Sequence, residues 1–431
     1  MEWADASASG IRGRRCGIFA CLGADSRGLI VLGGLDDLGG HVGLDPTVEQ
    51  RVEPGRPLGL AVVAAQPVDL RLEPLEHVVE LAEQGQGPLV PHAPFDLGAQ
   101  ALAQGGQGQG LLALAVLTET LGKTCPSSAL CFGMHCVGTA VMAAKATAHQ
   151  QEHYLRAIAR GEHITSLALS ESGSGAHIYL PETTLAVDGD AYRLSGTKQF
   201  VTSGGHADSY VVSTAASDSS EHGDFSCVIL DADTPGLAWG ERWSGFGMRG
   251  NSSRALRLEN ARVPRANLLG ETGDQVWYVF EIVAPYFLMA MAGSYLGVAQ
   301  SALDAAGAHL RSRHYGHSGE SLRQVETLQV RYAEMWTSLA RTRALVREAA
   351  SLGDAGHPDA LPHILACKAA AGETAVELAN EAMTLCGGTA YRDNSRVAQM
   401  LRDARASHVM SPTTDILKLW TGRSLLGLPL L

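Results

Sequence analysis

The order of hydrophobic periodicities along the chain limits its fold more than any other feature. From residue 111 to residue 164, apolar residues recur every three or four positions, which predicts helices. Over residues 165–272, short runs rich in β-branched residues alternate with turn residues, which predicts strands. The helical period returns over long stretches of residues 273–431. We therefore predict an α+β protein with N-terminal helices, a middle β domain and a C-terminal helical bundle.

The first 110 residues do not follow this order. Residues 1–110 contain no Lys, Asn or Tyr, their only Met is Met1, and they are rich in Gly without a sustained period. Two interpretations stay open: translation from a wrong frame or misassigned start, and a genuine Gly-rich disordered extension. An intact mass that includes all 431 residues in the native protein would exclude the first.

Charge and cysteine content narrow the class of protein. The formal net charge is −12, and no cluster of Lys and Arg indicates a nucleic-acid partner. No uninterrupted apolar run reaches the roughly 18 residues that span a bilayer, so we predict no membrane span. The eight cysteines include no CxxC pair, which favours free thiols over a metal site or a disulfide framework. We therefore expect a cytoplasmic protein without a metal.

Five motifs follow one another along the chain. SLALSESGSGAH at 166–177 follows a predicted strand, and GTKQFVTSGGHAD at 196–208 places an aromatic residue and hydroxyls in a strand. GFGMRGNSSRALRLENARVPRANLLG at 245–270 forms a further strand and the turn toward the bundle. SRHYGHSGESLRQVETLQVRYAEM occupies 312–335. LCGGTAY at 385–391 marks a helix end, because its paired glycines are a helix C-cap signal.

In this order, the motifs resemble those of the acyl-CoA dehydrogenase family of FAD flavoenzymes, over roughly residues 111–423. The resemblance implies N-terminal helices, a central antiparallel β-barrel domain and a C-terminal four-helix bundle. It also implies an FAD-dependent oxidoreductase acting on the CH–CH bond of an acyl thioester or a related small molecule. An electron-transfer flavoprotein or a flavin reductase is the implied electron partner. The implied assembly is a homodimer or homotetramer, because the family builds each FAD site from two subunits.

The resemblance assigns a set of residues to FAD, with Phe200 as the aromatic that packs on the flavin and Thr202 as the hydroxyl near flavin N5. The full set is Leu169, Ser170, Gly175, Ala176, Phe200, Thr202, Arg313, Gly387, Gly388, Thr413 and Asp415. Several positions depart from the family, among them Ala176, His177, Ser312 and Glu326. Ala176 replaces a serine that helps to hold the thioester. Ser312, between Arg311 and Arg313, replaces the arginine that faces the FAD pyrophosphate, so either neighbour is a candidate for that role.

The family's catalytic glutamate is also replaced, because Ser411 occupies its usual position. A second position used by some members aligns near Phe287, and the nearest carboxylate, Glu281, is more than one helical turn away. A serine does not accept a proton without its own base. His408 is a candidate base, because positions 408 and 411 share one face if the helix continues. Asp415 and His177 are the other residues considered, and an ordinary interface role for His408 is the competing interpretation.

Three functions are therefore compared. The first is an FAD-dependent oxidoreductase of the acyl-CoA dehydrogenase type. The second is a flavin-dependent monooxygenase on the same fold, since such relatives lack the glutamate. The third is an inactive flavin-binding or oligomerisation protein, which the replacements at Ala176, Ser312 and Ser411 motivate. Tight FAD favours the first, loose flavin that needs a reductase favours the second, and no flavin binding favours the third.

Overall fold

The computed structural model describes residues 104–175, 177–216, 225–271 and 277–430. Its first helices confirm the predicted helical character of the stretch that follows residue 111. Helix α1 spans Leu111–Thr124 and α2 spans Pro126–Ala144, which begins with a proline in its first turn, where the missing N–H has no intrahelical partner. A third helical segment, α3, consists of Ala148–Gln150, the π-helical Gln151–Leu155 and Arg156–Ala159.

The described residues of the middle part form eight strands. They are β1 (Thr165–Ala168), β2 (Thr184–Asp188), β3 (Ala191–Val201), β4 (Ser209–Ala216), β5 (Ser226–Asp231), β6 (Leu237–Trp239), β7 (Arg254–Pro264) and β8 (Leu268–Leu269). Their order is β6-β7-β3-β2-β4-β5-β8, and β1 pairs with β4 outside this path. The β1–β4 and β2–β4 pairs are parallel, so the sheet is mixed and the expectation of a purely antiparallel domain is wrong.

The pairing of β3 with β7 determines the direction in which side chains at the end of β3 point. The two strands run antiparallel, with irregularities between Leu194 and Gly196 and between Lys198 and Val201. Such bulges bend a strand and redirect its side chains. Phe200 lies inside the second irregularity with a left-handed backbone, φ 55°. This local distortion turns an aromatic side chain away from the sheet core, and Phe200 is 63% exposed.

The C-terminal part is helical, as predicted. A π-helical turn, Tyr278–Val283, leads into α4 (Ala284–Ser312), followed by α5 (Glu326–Asp354), α6 (Ala360–Cys386), α7 (Arg396–Val409) and α8 (Thr414–Leu425). Helix α4 packs against both α1 and α6. A Cβ at Gly297 would overlap the backbone of α1, so this crossing requires glycine. Helix α6 ends at Cys386 before Gly387, whose φ of 63° confirms the predicted glycine stop.

Two helical stretches, Pro126–Ala144 and Tyr278–Ser312, are long and apolar enough to cross a bilayer by length and composition alone. The first is 67% buried and the second 89% buried within their most apolar windows. That burial is what core helices of a globular domain show, because their apolar side chains face other protein elements.

Candidate functional site

The loop after β1 is fixed by a buried ion pair. Glu171 and Lys198 pair with side-chain exposures of 2% and 0%. The Glu171 carboxylate also accepts the hydroxyl of Thr183 at 2.7 Å and the backbone N–H of Glu182 at 2.6 Å. Burial alone raises the pKa of Glu171, but Lys198 and these donors together lower it. The carboxylate is therefore a charged anchor that ties the loop to β2 and β3.

Lys198 completes this anchor from β3. Its ammonium donates to the carbonyl of Leu169 at 3.4 Å and to the hydroxyl of Ser213 at 2.9 Å. Burial lowers its pKa to about 8, while Glu171 opposes that shift. Two predicted cofactor residues, Leu169 and Ser170, are thereby held beside β3, since the Gln199 N–H also donates to the Ser170 carbonyl at 2.7 Å.

The same loop contains Gly175, which has φ 55° and open space where a side chain would project. A glycine there leaves room for a ligand to approach the backbone closely. Ala176 lies outside the described residues. His177 is exposed, and its ring is 2.7 Å from the hydroxyl of Tyr179. The structure thus brings Leu169, Ser170 and Gly175 together on one loop.

An exposed aromatic wall lies at the end of β3. Phe200 and Trp243 meet edge to face with ring centroids 6.0 Å apart, and Phe246 nearby in sequence is 65% exposed. Thr202 is buried two residues further along. An uncovered aromatic surface of this kind is typical of a ligand site. A flat aromatic ring such as that of a flavin fits this wall, because it would remove Phe200 from water.

The segment around Ser411 is held by a buried lysine that the sequence interpretation missed. Lys368 on α6 is fully buried and donates to the carbonyls of Ser407 at 3.1 Å, Met410 at 2.7 Å and Pro412 at 2.6 Å. Burial lowers the pKa of Lys368 to about 7, although each carbonyl partner favours the protonated amine. The only signal in the sequence is one charged residue within the apolar stretch LPHILACKAAAG.

The proposed helical pairing of His408 with Ser411 is wrong. Helix α7 ends at Val409, and Met410 is extended with φ −71° and ψ 122°, so Ser411 lies beyond the helix. The His408 ring contacts the hydroxyl of Ser407 at 2.9 Å instead. Burial lowers the pKa of His408, and the positive charge of Arg405 lowers it further. The imidazole is consequently neutral near pH 7 and able to accept a proton.

Thr413 and Asp415 lie at the start of α8. Thr413 is the residue before the helix, and its carbonyl accepts the N–H of Leu417 at 3.0 Å. Asp415 is exposed in the first turn, where a negative charge interacts favourably with the helix dipole. This placement gives both residues a structural role in the helix start, separate from any contact with a cofactor.

The remaining predicted residues lie at two helix ends. Arg313 follows α4 and is exposed, as is Ser312, whose hydroxyl donates to the His309 carbonyl at 3.3 Å. Gly387 and Gly388 are exposed after α6. Among residues that the structure describes, no hydrogen bond or ion pair joins these positions to the loop at 169–175 or to β3. Within one chain, these residues therefore form no common site with the aromatic wall.

Three profiles of one family match the chain in order. The acyl-CoA dehydrogenase N-terminal domain matches residues 79–162, the middle domain matches residues 166–261 and the C-terminal domain matches residues 288–426. The first match begins at residue 79, ahead of the boundary at residue 111 that the composition suggested.

Similar proteins agree with these matches. The chain is 32% identical to cyclohex-1-ene-1-carbonyl-CoA dehydrogenase from Geobacter metallireducens, over 75% of this chain and 85% of that protein. The structure of butyryl-CoA dehydrogenase from Megasphaera elsdenii superposes with a TM-score of 0.72 and 25% identity, covering 77% and 88% of the two chains. A chain in the structure of the electron transferring flavoprotein of Acidaminococcus fermentans gives 0.71 and 26%, covering 77% and 89%.

Proposed function

The chain belongs to the acyl-CoA dehydrogenase family, and we propose that it is an FAD-dependent oxidoreductase that oxidises the Cα–Cβ bond of an acyl thioester without a base at residue 411. The observation that carries this proposal is the exposed wall of Phe200 and Trp243, beside a loop anchored by Glu171. A planar flavin ring would cover that wall and remove Phe200 from water. The relatives favour dehydrogenation over the monooxygenase and inactive alternatives.

The residues of the chain divide into those that hold the flavin and those that act on the substrate. Phe200 would cover one face of the ring, and Thr202 and the Leu169–Gly175 loop would supply polar contacts at its edge. When bound, FAD supplies the acceptor for the hydride that leaves the β carbon. The α proton must leave at the same time to a group of the protein.

We propose His408 as the acceptor of that proton. Its pKa is lowered by burial, so the ring is neutral at pH 7, and it lies three residues before the position where relatives are expected to carry glutamate. Lys368 binds carbonyls on both sides of this segment, which keeps residues 407–412 in one conformation. A base must be held in place to act efficiently, because small displacements reduce the rate strongly.

Reconstitution tests the function directly. The purified protein is incubated with FAD, desalted and examined by visible absorption, and butyryl-CoA is then added without oxygen. Retained flavin bands that fade on addition of the thioester, together with formation of the enoyl-CoA, support the proposal. A protein that retains no flavin, or a bound flavin that stays oxidised with several acyl-CoA thioesters, contradicts it.

The assembly and the electron acceptor are part of the same proposal. We expect a homodimer or homotetramer, because the exposed helix ends at Arg313 and Gly387 join no site within one chain. An electron-transfer flavoprotein is the expected acceptor, with a flavin reductase as the alternative. The described cysteines are free thiols, which supports a reducing, cytoplasmic location. Light scattering that detects only monomer would contradict the assembly.

A further inference from the structure

A cavity at the loop before β7 is lined by three arginines. Its volume is about 420 Å³, and its lining consists of His206, Arg242, Trp243, Arg249, Gly250, Ser252 and Arg254. We call it the arginine cavity. Its size is in the range of small-molecule sites, and Trp243 contributes the largest apolar side chain of its lining.

The positive charge of the arginine cavity has no counterion in the described part of the protein. Among the residues that the structure describes, no carboxylate lies within ion-pair distance of Arg242, Arg249 or Arg254. Another exposed arginine of the same sheet, Arg257, is paired with Glu259 at 2.8 Å. The chain as a whole is acidic, with a net charge of −12, so this excess of positive charge is local. Like charges that converge repel one another, and a bound anion removes that cost.

Two of the three guanidinium groups are held in position. Arg254 donates from Nε and Nη2 to the carbonyl of Gly240 at 2.9 and 2.6 Å, and it lies over the ring of Trp239. Arg249 donates from Nε to the carbonyl of Gly245 at 3.1 Å. Among the described hydrogen bonds, none uses Nη1 of Arg254 or either Nη of Arg249. Fixed guanidinium groups with such donors suit phosphate oxygens, because their planar geometry matches that of the anion.

The backbone of the cavity is also fixed. The N–H of Gly250 donates to the hydroxyl of Ser127 on α2 at 3.1 Å. The hydroxyl of Ser252 donates to the carbonyl of Gly204 at 3.1 Å. A ligand that enters a site already held in one conformation loses less binding free energy to the ordering of the protein.

The cavity is separate from the residues that the family resemblance assigns to the FAD pyrophosphate. That resemblance places the pyrophosphate at the exposed helix end around Arg311 and Arg313, in a site built from two subunits. Among the residues that the structure describes, no hydrogen bond or ion pair joins this helix end to the arginine cavity. Trp243 meets Phe200 edge to face, so the cavity lies beside the proposed flavin wall. The unpaired arginines are therefore left for an anion that is not part of FAD.

We propose that the arginine cavity binds a phosphate group that does not belong to FAD. Inorganic phosphate and a nucleoside monophosphate share this chemistry. The monophosphate is the expected source, because a volume of about 420 Å³ exceeds the needs of a lone phosphate. Its planar base would lie against the indole of Trp243, since aromatic rings stack favourably. The site goes beyond the proposed function, because phosphate binding here does not require thioester oxidation.

Calorimetric titration of the FAD-loaded protein at constant ionic strength tests the assignment without turnover. Inorganic phosphate, adenosine 5′-monophosphate and adenosine are titrated into the wild type and into Arg242→Gln, a change at an exposed residue without a described hydrogen bond. Arg257→Gln is the matched control, since it removes the same charge from β7 outside the cavity.

We expect the monophosphate to bind more tightly than inorganic phosphate, and adenosine not to bind measurably. The dissociation constant of the monophosphate should rise about fivefold in Arg242→Gln, because one exposed charge contributes up to about 1 kcal/mol. Arg257→Gln should match the wild type. Equal affinities for inorganic phosphate and the monophosphate, both weakened in Arg242→Gln, would support the phosphate site and identify the free anion as its source.

Three results would overturn the proposal: no binding of either phosphate-containing probe, equal losses in Arg242→Gln and Arg257→Gln, and binding of adenosine as tight as that of its monophosphate. Coenzyme A also carries a phosphate monoester. Competition between coenzyme A and the monophosphate in the wild type would assign the cavity to the substrate and would likewise overturn the proposal. Failure of the wild type to retain FAD would contradict the proposed function alone, because the same titrations then apply to the apoprotein.

Discussion

Asp403 on α7 accepts the backbone N–H of Met248 at 2.7 Å, which joins the helix before Ser411 to the loop that precedes β7. Met248 has φ 51°, and Asp403 is 4% exposed. A Cβ at neighbouring Gly247 would overlap the carbonyl of Arg402, so the loop lies directly on α7. The helix that carries the proposed base is therefore held against the β domain by this contact.

Loss of the Asp403 acceptor should destabilise this junction. Asp403→Ala leaves the buried N–H of Met248 without a partner, which costs about 2 kcal/mol. Asp403→Asn keeps an acceptor oxygen and should lose less, since burial already raises the pKa of the carboxyl and disfavours its charge. Urea unfolding of both variants measures the difference. Equal stability of Asp403→Ala and wild type would show that the contact contributes nothing.

Removal of the Lys368 ammonium should loosen the segment 407–412. Lys368→Met keeps the volume of the side chain but leaves three carbonyls without their donor, so we expect a loss of about 3 kcal/mol in the free energy of unfolding. The rate of flavin reduction should also fall, because His408 would lose its fixed position. Lys418→Met is the control, since Lys418 is exposed and pairs with Glu373 outside the carbonyl cluster. A loss of stability in the control as large as that in Lys368→Met would contradict this specific role.

The Glu171–Lys198 pair should behave as a coupled unit. Either Glu171→Leu or Lys198→Met leaves a buried charged partner uncompensated, and we expect each to cost about 3 to 5 kcal/mol. The double variant Glu171→Leu with Lys198→Met should cost less than the sum of the single changes, because no charge remains buried alone. Chemical denaturation of the double-mutant cycle gives the coupling energy. Additive effects would contradict the ion pair as the anchor of the flavin loop.

His135 should make stability fall in mild acid. Burial lowers its pKa from 6.5 to about 4, and the neutral ring accepts the backbone N–H of Thr165 at 3.1 Å. Because the folded-state pKa is depressed, the unfolded chain binds a proton between pH 6.5 and 4 that the folded chain does not. Stability is then present above pH 6.5 and is lost as the pH falls, by about 3 kcal/mol in total at pH 4.

The measurement compares unfolding free energies at pH 7 and pH 4.5 for wild type and His135→Asn, which retains an acceptor but does not titrate. The difference in unfolding free energy between wild type and His135→Asn should shrink or reverse at pH 4.5. An identical pH dependence in both would mean that His135 does not contribute.

Periodicity and turn residues in the sequence predicted the helical and strand segments. The features that they did not predict depend on contacts between residues far apart in the chain. The glycine stop at Gly387 was predicted, because a glycine cap is a property of neighbouring residues. The parallel pair of β2 with β4 was not predicted, since it joins segments separated by β3. The role of Lys368 depends on carbonyls about forty positions away, which no periodicity encodes.

The prediction that His408 and Ser411 share one face of a helix was wrong for a local reason. Continuing α7 to residue 411 would bring the helix to Pro412, and the residue before a proline is disfavoured in the helical conformation. The helix ends at Val409 instead, and Lys368 binds the carbonyls that this end leaves free. The sequence contained the proline signal, but the lysine that stabilises the helix end lies on another helix.

The most direct test of the account is the rate of anaerobic flavin reduction by butyryl-CoA in the wild type and in His408→Gln, each loaded with FAD and measured across pH. We predict that the wild-type rate rises with pH as His408 loses its proton and then levels off. His408→Gln should be slower by about 10² to 10⁴ and should lose this pH dependence. A wild-type flavin that the thioester does not reduce would contradict the assigned reaction. Equal rates and equal pH profiles in the two proteins would contradict His408 as the base.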